Sequence, residues 1–252
     1  MRRRALILLL PLTLACSLGT AHAQIVNTLR AFSDSLGWDA AVEGFLAVAS
    51  GNSEYLEFDV DGAAQYRSER HRVRFLGEHT RREAEGNEIA RNTLIHVRHN
   101  YVLWQRIATV AFGQVQRNPF RRVERRTLLG GGLRYDAVAG AKFSAALGAT
   151  VMYETEELTD DDRGAVDRAR MSYFASALGQ PRSGVQVDVV AFYQPLVDDY
   201  NAVRAYAAAA LRVDIVGGLY LAFAYDLVHD SDPPAGVEPT DQRFRSGLGW
   251  KL

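Results

Sequence analysis

The sequence predicts an all-β protein, a closed antiparallel transmembrane β-barrel of about 12 strands. Apolar and polar residues alternate with a period of two along most of the chain, as in residues 56–60, Leu-Glu-Phe-Asp-Val. Turn residues such as Gly-Asn-Ser at 51–53 divide the alternating segments at fairly even intervals. The final strand pattern places Phe244, Leu248 and Trp250 on one face. These observations predict strands that face lipid on one side.

An export signal is predicted at residues 1–23. Arg2–Arg4 form its positive region, and the apolar stretch Ala5–Leu14 is too short to span a bilayer as a helix. Ala21-His22-Ala23 is a small-x-small site, so cleavage is expected after Ala23.

Residues 24–36 are expected to form a short periplasmic segment, and residues 37–252 the barrel. Ile25, Leu29 and Phe32 follow helical spacing. A short amphipathic helix at the rim and a frayed end both fit this spacing.

Charge and cysteine content exclude several classes of protein. The chain carries 29 Lys and Arg against 30 Asp and Glu and has no lysine-rich stripe, so nucleic acid is not an expected partner. The single cysteine, Cys16, lies in the export signal; a lipoprotein signal there is an alternative that Thr13 disfavours. No cofactor or metal is expected, because the acidic run Asp160–Asp162 lacks the ligand spacing of a calcium loop.

About twelve strands follow from the alternation and the turns. In chain order they are placed at residues 37–49, 54–67, 70–82, 88–99, 105–117, 124–137, 142–154, 168–179, 184–195, 202–214, 218–229 and 242–252. The alternation blurs at residues 94–95 and 101–104. An even number of strands lets an antiparallel barrel close with both ends on one side.

Connection lengths predict the orientation of the barrel. If the N-terminus is periplasmic, the two longest connections, 155–167 and 230–241, both face outward, as is typical of outer-membrane barrels. Aromatic residues near strand ends predict two interfacial girdles. They are Trp38, Tyr55, Tyr66, Tyr101, Trp104, Tyr135, Tyr153, Tyr193, Tyr220 and Trp250. A soluble sandwich or lipocalin-like barrel would alternate too, but would usually expose many lysines.

If the apolar residues face lipid, the polar residues between them line the lumen. The candidate lumen-lining residues are Glu57, Asp59, Asp61, Arg70, Arg72, Arg74, Arg98, Arg134, Asp188, Arg212 and Asp226, with Arg106, Arg204, Asp214, Arg243 and Arg245 as further candidates. The acidic row of the second strand and the arginine row of the third are expected to form cross-strand ion pairs. The functional alternative is a transverse field that orients solutes in a pore.

No catalytic residue is predicted, and the protein is not expected to be an enzyme. No serine lies in a recognisable lipase context. A catalytic interpretation would bring His79 and His96 together across the third hairpin, but the favoured interpretation is that they are rim or lumen histidines that form hydrogen bonds.

The C-terminal residues resemble the signal by which outer-membrane barrels are recognised by their assembly machinery, with Gly247, Trp250 and Leu252 in the signal positions. The chain also resembles the bacterial salt-induced outer-membrane protein family, a domain of unknown function. The matching motifs are Trp38 with Glu43-Gly44 and 50–52, the block 106–120, the glycine-rich segment 129–135 and Leu147-Gly148. The resemblance implies an outer-membrane barrel and no particular reaction or ligand.

The expected protein is therefore a monomeric barrel in the cell outer membrane with an undefined biochemical role, either a small pore or an envelope-integrity or stress protein. Its expected partners are outer-membrane lipid and, through the C-terminal strand, the barrel-assembly machinery. The alternatives are an outer-membrane lipid-modifying enzyme and a soluble periplasmic β protein.

Overall fold

A computed structural model describes residues 36–49, 55–84, 86–159, 164–234 and 237–252. Within these ranges twelve strands form one closed antiparallel barrel, in which each strand pairs with its neighbours in sequence and the last strand pairs with the first. The predicted fold class is confirmed. The predicted export signal 1–23, the periplasmic segment 24–36 apart from its last residue, and the acidic run 160–162 lie outside the described residues.

The strands are β1 (Gly37–Ala49), β2 (Tyr55–Arg67), β3 (His71–Ala84), β4 (Asn87–Trp104), β5 (Ile107–Asn118), β6 (Val123–Ala139), β7 (Phe143–Leu158), β8 (Val166–Arg182), β9 (Val185–Pro195), β10 (Val203–Val216), β11 (Leu219–Asp230) and β12 (Thr240–Lys251). A single 3₁₀ turn, Pro119–Arg121, follows β5 in the described chain. No helix in these ranges is long and apolar enough to cross a membrane.

Most predicted strands agree with the observed bounds within a few residues, but two differ more. β4 continues to Trp104, so the connection predicted at 100–104 is wrong. A register shift between Val102 and Trp104 interrupts the pairing with β5 and explains why the alternation blurs there. β7 continues to Leu158, four residues past its predicted end at 154.

The two ends of the barrel differ in connection length. One end, the short-turn end, carries the connections 68–70, 105–106, 140–142, 183–184 and 217–218. The opposite end, the long-loop end, carries the remaining ones, including 159–165, 196–202 and 231–239. This asymmetry matches the short periplasmic turns and longer outer loops of outer-membrane barrels.

The outward face is apolar. Large hydrophobic side chains along it are strongly exposed, among them Leu129 at 69% and Phe244 at 68%. At the short-turn end Trp38 packs against Tyr66, with ring centres 5.3 Å apart. Tyr220 departs from the predicted girdle, because it points inward and is buried. An exposed apolar band edged by aromatic rings is the surface that lipid requires.

The inward face is buried and mixed in character. It carries the expected charged residues, but also a large apolar set that the polar-lumen expectation missed. That set includes Leu76, Leu94, Val110, Phe112, Leu128, Met152, Phe174, Val190, Phe192 and Tyr206. Apolar side chains inside a barrel exclude water, so the lumen is packed in part like the core of a soluble domain.

Inward-facing glycines lie opposite aromatic residues on the neighbouring strand. Gly130 pairs with Phe112, Gly148 with Phe174, and Gly249 with Tyr220. A Cβ atom at any of these glycines would overlap the partner's ring. Glycine therefore lets each ring lie flat across the wall, a form of packing that closes a curved sheet.

We predict that Gly148→Ala destabilises the barrel and that Gly77→Ala does not. A Cβ at position 148 would overlap the Phe174 ring and lie 2.9 Å from the backbone oxygen of Leu133, whereas nothing lies within 4 Å of one at position 77. Overpacking should cost about 1–3 kcal/mol. The urea unfolding midpoints of the two variants, refolded in lipid vesicles, test this. Equal midpoints would contradict the packing role of Gly148.

Candidate functional site

The lumen is the candidate site, and side chains from one half of the barrel form a buried apolar cluster on its lining. One buried apolar cluster takes residues from each strand between β5 and β11. Its rings pack in tilted pairs, with Phe174 and Phe192 centred 5.7 Å apart and Phe192 and Tyr206 6.2 Å apart. The guanidinium of Arg98 on β4 lies 5.3 Å from the ring centre of Phe174 on β8. Contacts between strands so far apart in the wall pass across the lumen.

A first set of ion pairs, the long-loop cluster, lies between this apolar cluster and the long-loop end of the barrel. It consists of Arg126, Arg170, Arg204, Glu154, Glu156 and Asp230. Glu154 binds Arg126 at 2.6 Å and also Arg204, and its side chain is fully buried. Arg204 extends from β10 to reach Glu156 on β7 at 3.1 Å and Asp230 on β11 at 2.7 Å. The cluster therefore ties non-adjacent strands together.

A second set, the middle cluster, joins the two ends of the chain across the closing seam. Arg245 on β12 lies 3.1 Å from Asp61 on β2 and 3.4 Å from Asp226 on β11. Asp59 lies 3.9 Å from the same guanidinium, which also stacks over the ring of Phe45 at 4.9 Å. Because β1 and β12 pair only over 40–44 and 248–252 in the described chain, these contacts reinforce the seam.

A third set, the short-turn cluster, is built around Arg212 on β10. Its Nε donates to Glu43 on β1 at 2.7 Å, and its Nη1 binds Asp188 on β9. The hydroxyl of Tyr220 donates to the same Glu43 oxygen at 2.9 Å. All four side chains are buried, so each charge is neutralised inside the wall rather than by water.

The structure places most predicted lining residues on the inward face, but it does not bring the two predicted rows together. The register sets Asp59 opposite Thr80 and Arg74 opposite Gln65. The acidic row therefore lies toward the long-loop end and the arginine row toward the short-turn end. The expected ion pairing of Asp59 and Asp61 with Arg72 and Arg74 is wrong; Asp59 and Asp61 face Arg245 instead.

The other predicted residues have separate partners. Glu57 binds Arg82 at 2.6 Å, Arg74 donates to Gln65 at 2.8 Å, and Arg134 donates to Asp136 at 2.7 Å. Arg72 and Arg98 face inward near the short-turn end. Arg70 lies in the turn before β3, is exposed, and contacts the hydroxyl of Tyr101, so it belongs to the rim rather than to the lumen.

His79 and His96 do not meet. His79 is exposed on the outward face and contacts Thr93, whereas His96 points inward and contacts Gln114. The two residues have opposite parity along the hairpin, which sends their side chains to opposite faces. A second outward pair joins His229 to Thr240 at 2.8 Å. Within the described ranges no hydrogen bond or ion pair joins either histidine of these threonine pairs to a carboxylate.

Two small cavities lie at opposite ends of the described barrel. A cavity of about 50 Å³ lies at the short-turn end beside Arg72, Asn100 and Arg134, and one of about 10 Å³ lies at the long-loop end. Ligand-binding pockets usually measure about 300–1,000 Å³. Within the described ranges no group of three His, Cys, Asp or Glu residues could hold a metal ion.

Sequence reasoning identified Arg204, Arg212 and Arg245 as lumen candidates, but it missed several of the carboxylates that bind them. Glu154 was the last residue of the predicted strand 142–154 and Glu156 lay beyond it, and neither was assigned to the lumen. The alternation of Met152, Glu154 and Glu156 against Tyr153 and Thr155 was a signal that could have extended the strand. Glu43 and Asp39 are the two charged residues of β1, and no pattern in the sequence identifies Arg212, 169 positions away, as the partner of Glu43.

Comparison with known proteins agrees with the barrel architecture. The model of a family described as "Protein of unknown function, DUF481" matches residues 44–252. The salt-induced designation stays a prediction. A search of curated proteins finds no match.

Solved structures add evidence on the fold alone. The structure described as "NanC porin structure in rhombohedral crystal form" is 12% identical, with a TM-score of 0.53, over 85% of this chain and 100% of that one. The translocator domain of autotransporter NalP from Neisseria meningitidis is 10% identical, with a TM-score of 0.45, over 87% and 90%.

We predict that Glu154→Gln lowers the free energy of unfolding by about 3 kcal/mol, because it leaves buried guanidinium groups without their counter-charge. The matched control is Glu157→Gln, whose side chain is 44% exposed and lies 3.4 Å from Arg125. A surface pair of this kind is worth about 0–1 kcal/mol. Urea titration of both variants in lipid vesicles measures the difference. If both variants lower the free energy of unfolding by equally small amounts, the long-loop cluster does not stabilise the barrel.

Proposed function

The chain belongs to the family described as protein of unknown function, DUF481, and we propose that it is an outer-membrane barrel whose lumen is closed to solutes at rest. The observation that carries the proposal is the buried apolar cluster drawn from β5 to β11, together with the contact of Arg98 on β4 with the ring of Phe174 on β8. A water-filled diffusion pore needs a hydrated passage, and packed rings with paired charges remove one.

The proposed location is the cell outer membrane, with the long-loop end outward. The apolar outward band, the aromatic residues at its edges and the unequal connection lengths support this placement. The porin-like fold supports it at the level of architecture. Lipid is then the principal partner of the outer wall, and the chain acts as a monomer because its lipid-facing surface needs no second copy.

The proposed role is structural, that of a rigid barrel contributing to envelope integrity. The ion pairs that join β10 to β7 and β1, and β12 to β2, stiffen the wall across its interior. A gated small pore is the second candidate, and the charged lining near each end favours it. Opening would then require the apolar cluster to move.

The two remaining alternatives have weaker support. A lipid-modifying enzyme would need an outward nucleophile with a base and an orienting acid, whereas the threonine–histidine pairs described above lack the acid. A soluble periplasmic protein would bury its apolar face, whereas this chain exposes side chains such as Trp38 at 70% and Trp104 at 71%.

We predict that the refolded chain gives no stable conductance steps in a planar lipid bilayer. The double variant Phe174→Ala, Phe192→Ala removes two rings from the apolar cluster and should produce steps. The control is Phe58→Ala, Phe244→Ala, which removes two rings from the exposed outward face and should stay silent. Steps in the unmodified protein as large as those of the inner variant would contradict the closed lumen.

We further propose that the C-terminal strand contacts the barrel-assembly machinery. Trp250 and Leu252 are exposed, 44% and 79%, and so are available to a partner. Gly247 faces inward, where a Cβ would overlap the ring of Phe45, so its role includes packing.

Changing Trp250 and Leu252 to Ala should lower the amount of folded barrel in cells several-fold while leaving refolding in detergent unchanged. Heat-modifiable migration on gels measures both quantities. Phe244→Ala, on the same face but outside the signal positions, serves as the control. Normal cellular levels of the double variant would contradict an assembly signal at this strand.

A further inference from the structure

A fourth arginine enters the long-loop cluster from the connection between β5 and β6. The 3₁₀ turn Pro119–Arg121 is capped by Asn118, whose side-chain oxygen accepts a hydrogen bond from the backbone N–H of Arg121 at 3.3 Å. Arg122 then adopts a left-handed conformation with φ 60°, and its N–H donates to the Pro119 oxygen at 2.9 Å. This tight turn leaves Arg121 only 2% exposed at the mouth of the lumen.

The guanidinium of Arg121 is buried without sufficient partners. Its Nε and Nη1 atoms form no hydrogen bond within the described chain, and neither do Nε and Nη1 of Arg126. Burial lowers the pKa of Arg121 to about 9; the neighbouring Asp230 opposes this effect, and Arg204 and Arg126 add to it. Buried N–H donors on a cation are rarely left unsatisfied, so a further acceptor is required here.

The balance of charges around Arg121 also indicates that a negatively charged group is missing. Arg121, Arg126, Arg170 and Arg204 face Glu154, Glu156 and Asp230, which leaves one excess positive charge among the described residues of this region. Arg126, Arg204 and Asp230 also line, with Arg121, the cavity of about 10 Å³ at the long-loop end. That volume accommodates about one water-sized particle.

We propose that this cavity binds a small monovalent inorganic anion, such as chloride, held by the guanidinium groups of Arg121 and Arg126. An anion of atomic size supplies the missing negative charge and accepts the unsatisfied N–H groups at once. A phosphate or carboxylate is too large for the space, and water supplies an acceptor but no charge. The site is independent of whether the barrel conducts.

The experiment uses the full mature chain refolded in detergent and crystallised in sodium bromide, with anomalous scattering to locate the ion. A bromide peak in contact with Arg121 and Arg126 is the expected result. A water molecule at that position, with no anomalous signal, would overturn the proposal even if every variant failed to fold.

A solution measurement compares the thermal unfolding midpoint in chloride with that in gluconate at equal ionic strength. Chloride at tenfold excess over its dissociation constant should raise the midpoint by about 3 °C, and gluconate should not. Arg121→Gln should abolish the difference. The control Arg117→Gln, at the same end but on a side chain 52% exposed and paired with Glu124, should retain it. Equal effects of the two anions, or a chloride effect that survives Arg121→Gln, would count against the site.

Discussion

The ion pair between Arg204 and Glu154 illustrates the constraint on which the rest of this structure depends. A barrel whose outer wall faces lipid must place its polar residues inside, and rings packed in the lumen limit the water that can hydrate them. Each inward charge therefore needs a counter-charge within the wall. Arg204 meets this need by reaching across two strands to Glu154 and Glu156, and Arg212 and Arg245 do the same elsewhere. Removing one partner would leave a buried charge, so the clusters act as units.

The same closure explains the glycine and aromatic pairs. Phe112, Phe174 and Tyr220 fill the lumen only because the residue opposite each is glycine. The rings and the ion pairs are thus two parts of one packing arrangement, with an apolar cluster that excludes water and charged clusters in which most charges are paired. An interior built in this way favours a rigid, closed barrel over a permanently open passage.

Much of the fold could be predicted from the sequence, because lipid outside and a buried lumen inside impose a period of two on every strand. The side-chain contacts inside the lumen were harder to predict. The hairpin turn at 68–70 already sets residue 74 opposite 65, so the mispairing of Arg74 with Asp59 was avoidable. The partnership of Glu43 with Arg212 was not, because it depends on barrel closure between strands far apart in sequence. In the sequence, the inward aromatic residues could not be distinguished from the other apolar residues of the strands, because the alternation does not show which of them face the lumen.

Accessibility of the lumen tests the closed interior most directly. Cys16 is the only native cysteine, so a refolded chain starting at residue 24 can carry one introduced thiol. Ser172 on β8 is inward and 2% exposed, and Ser231 is exposed beyond β11. With a small, membrane-impermeant thiol reagent, Ser172→Cys should stay unlabelled while Ser231→Cys reacts rapidly. Labelling of both at similar rates would show a hydrated, open lumen and contradict this account.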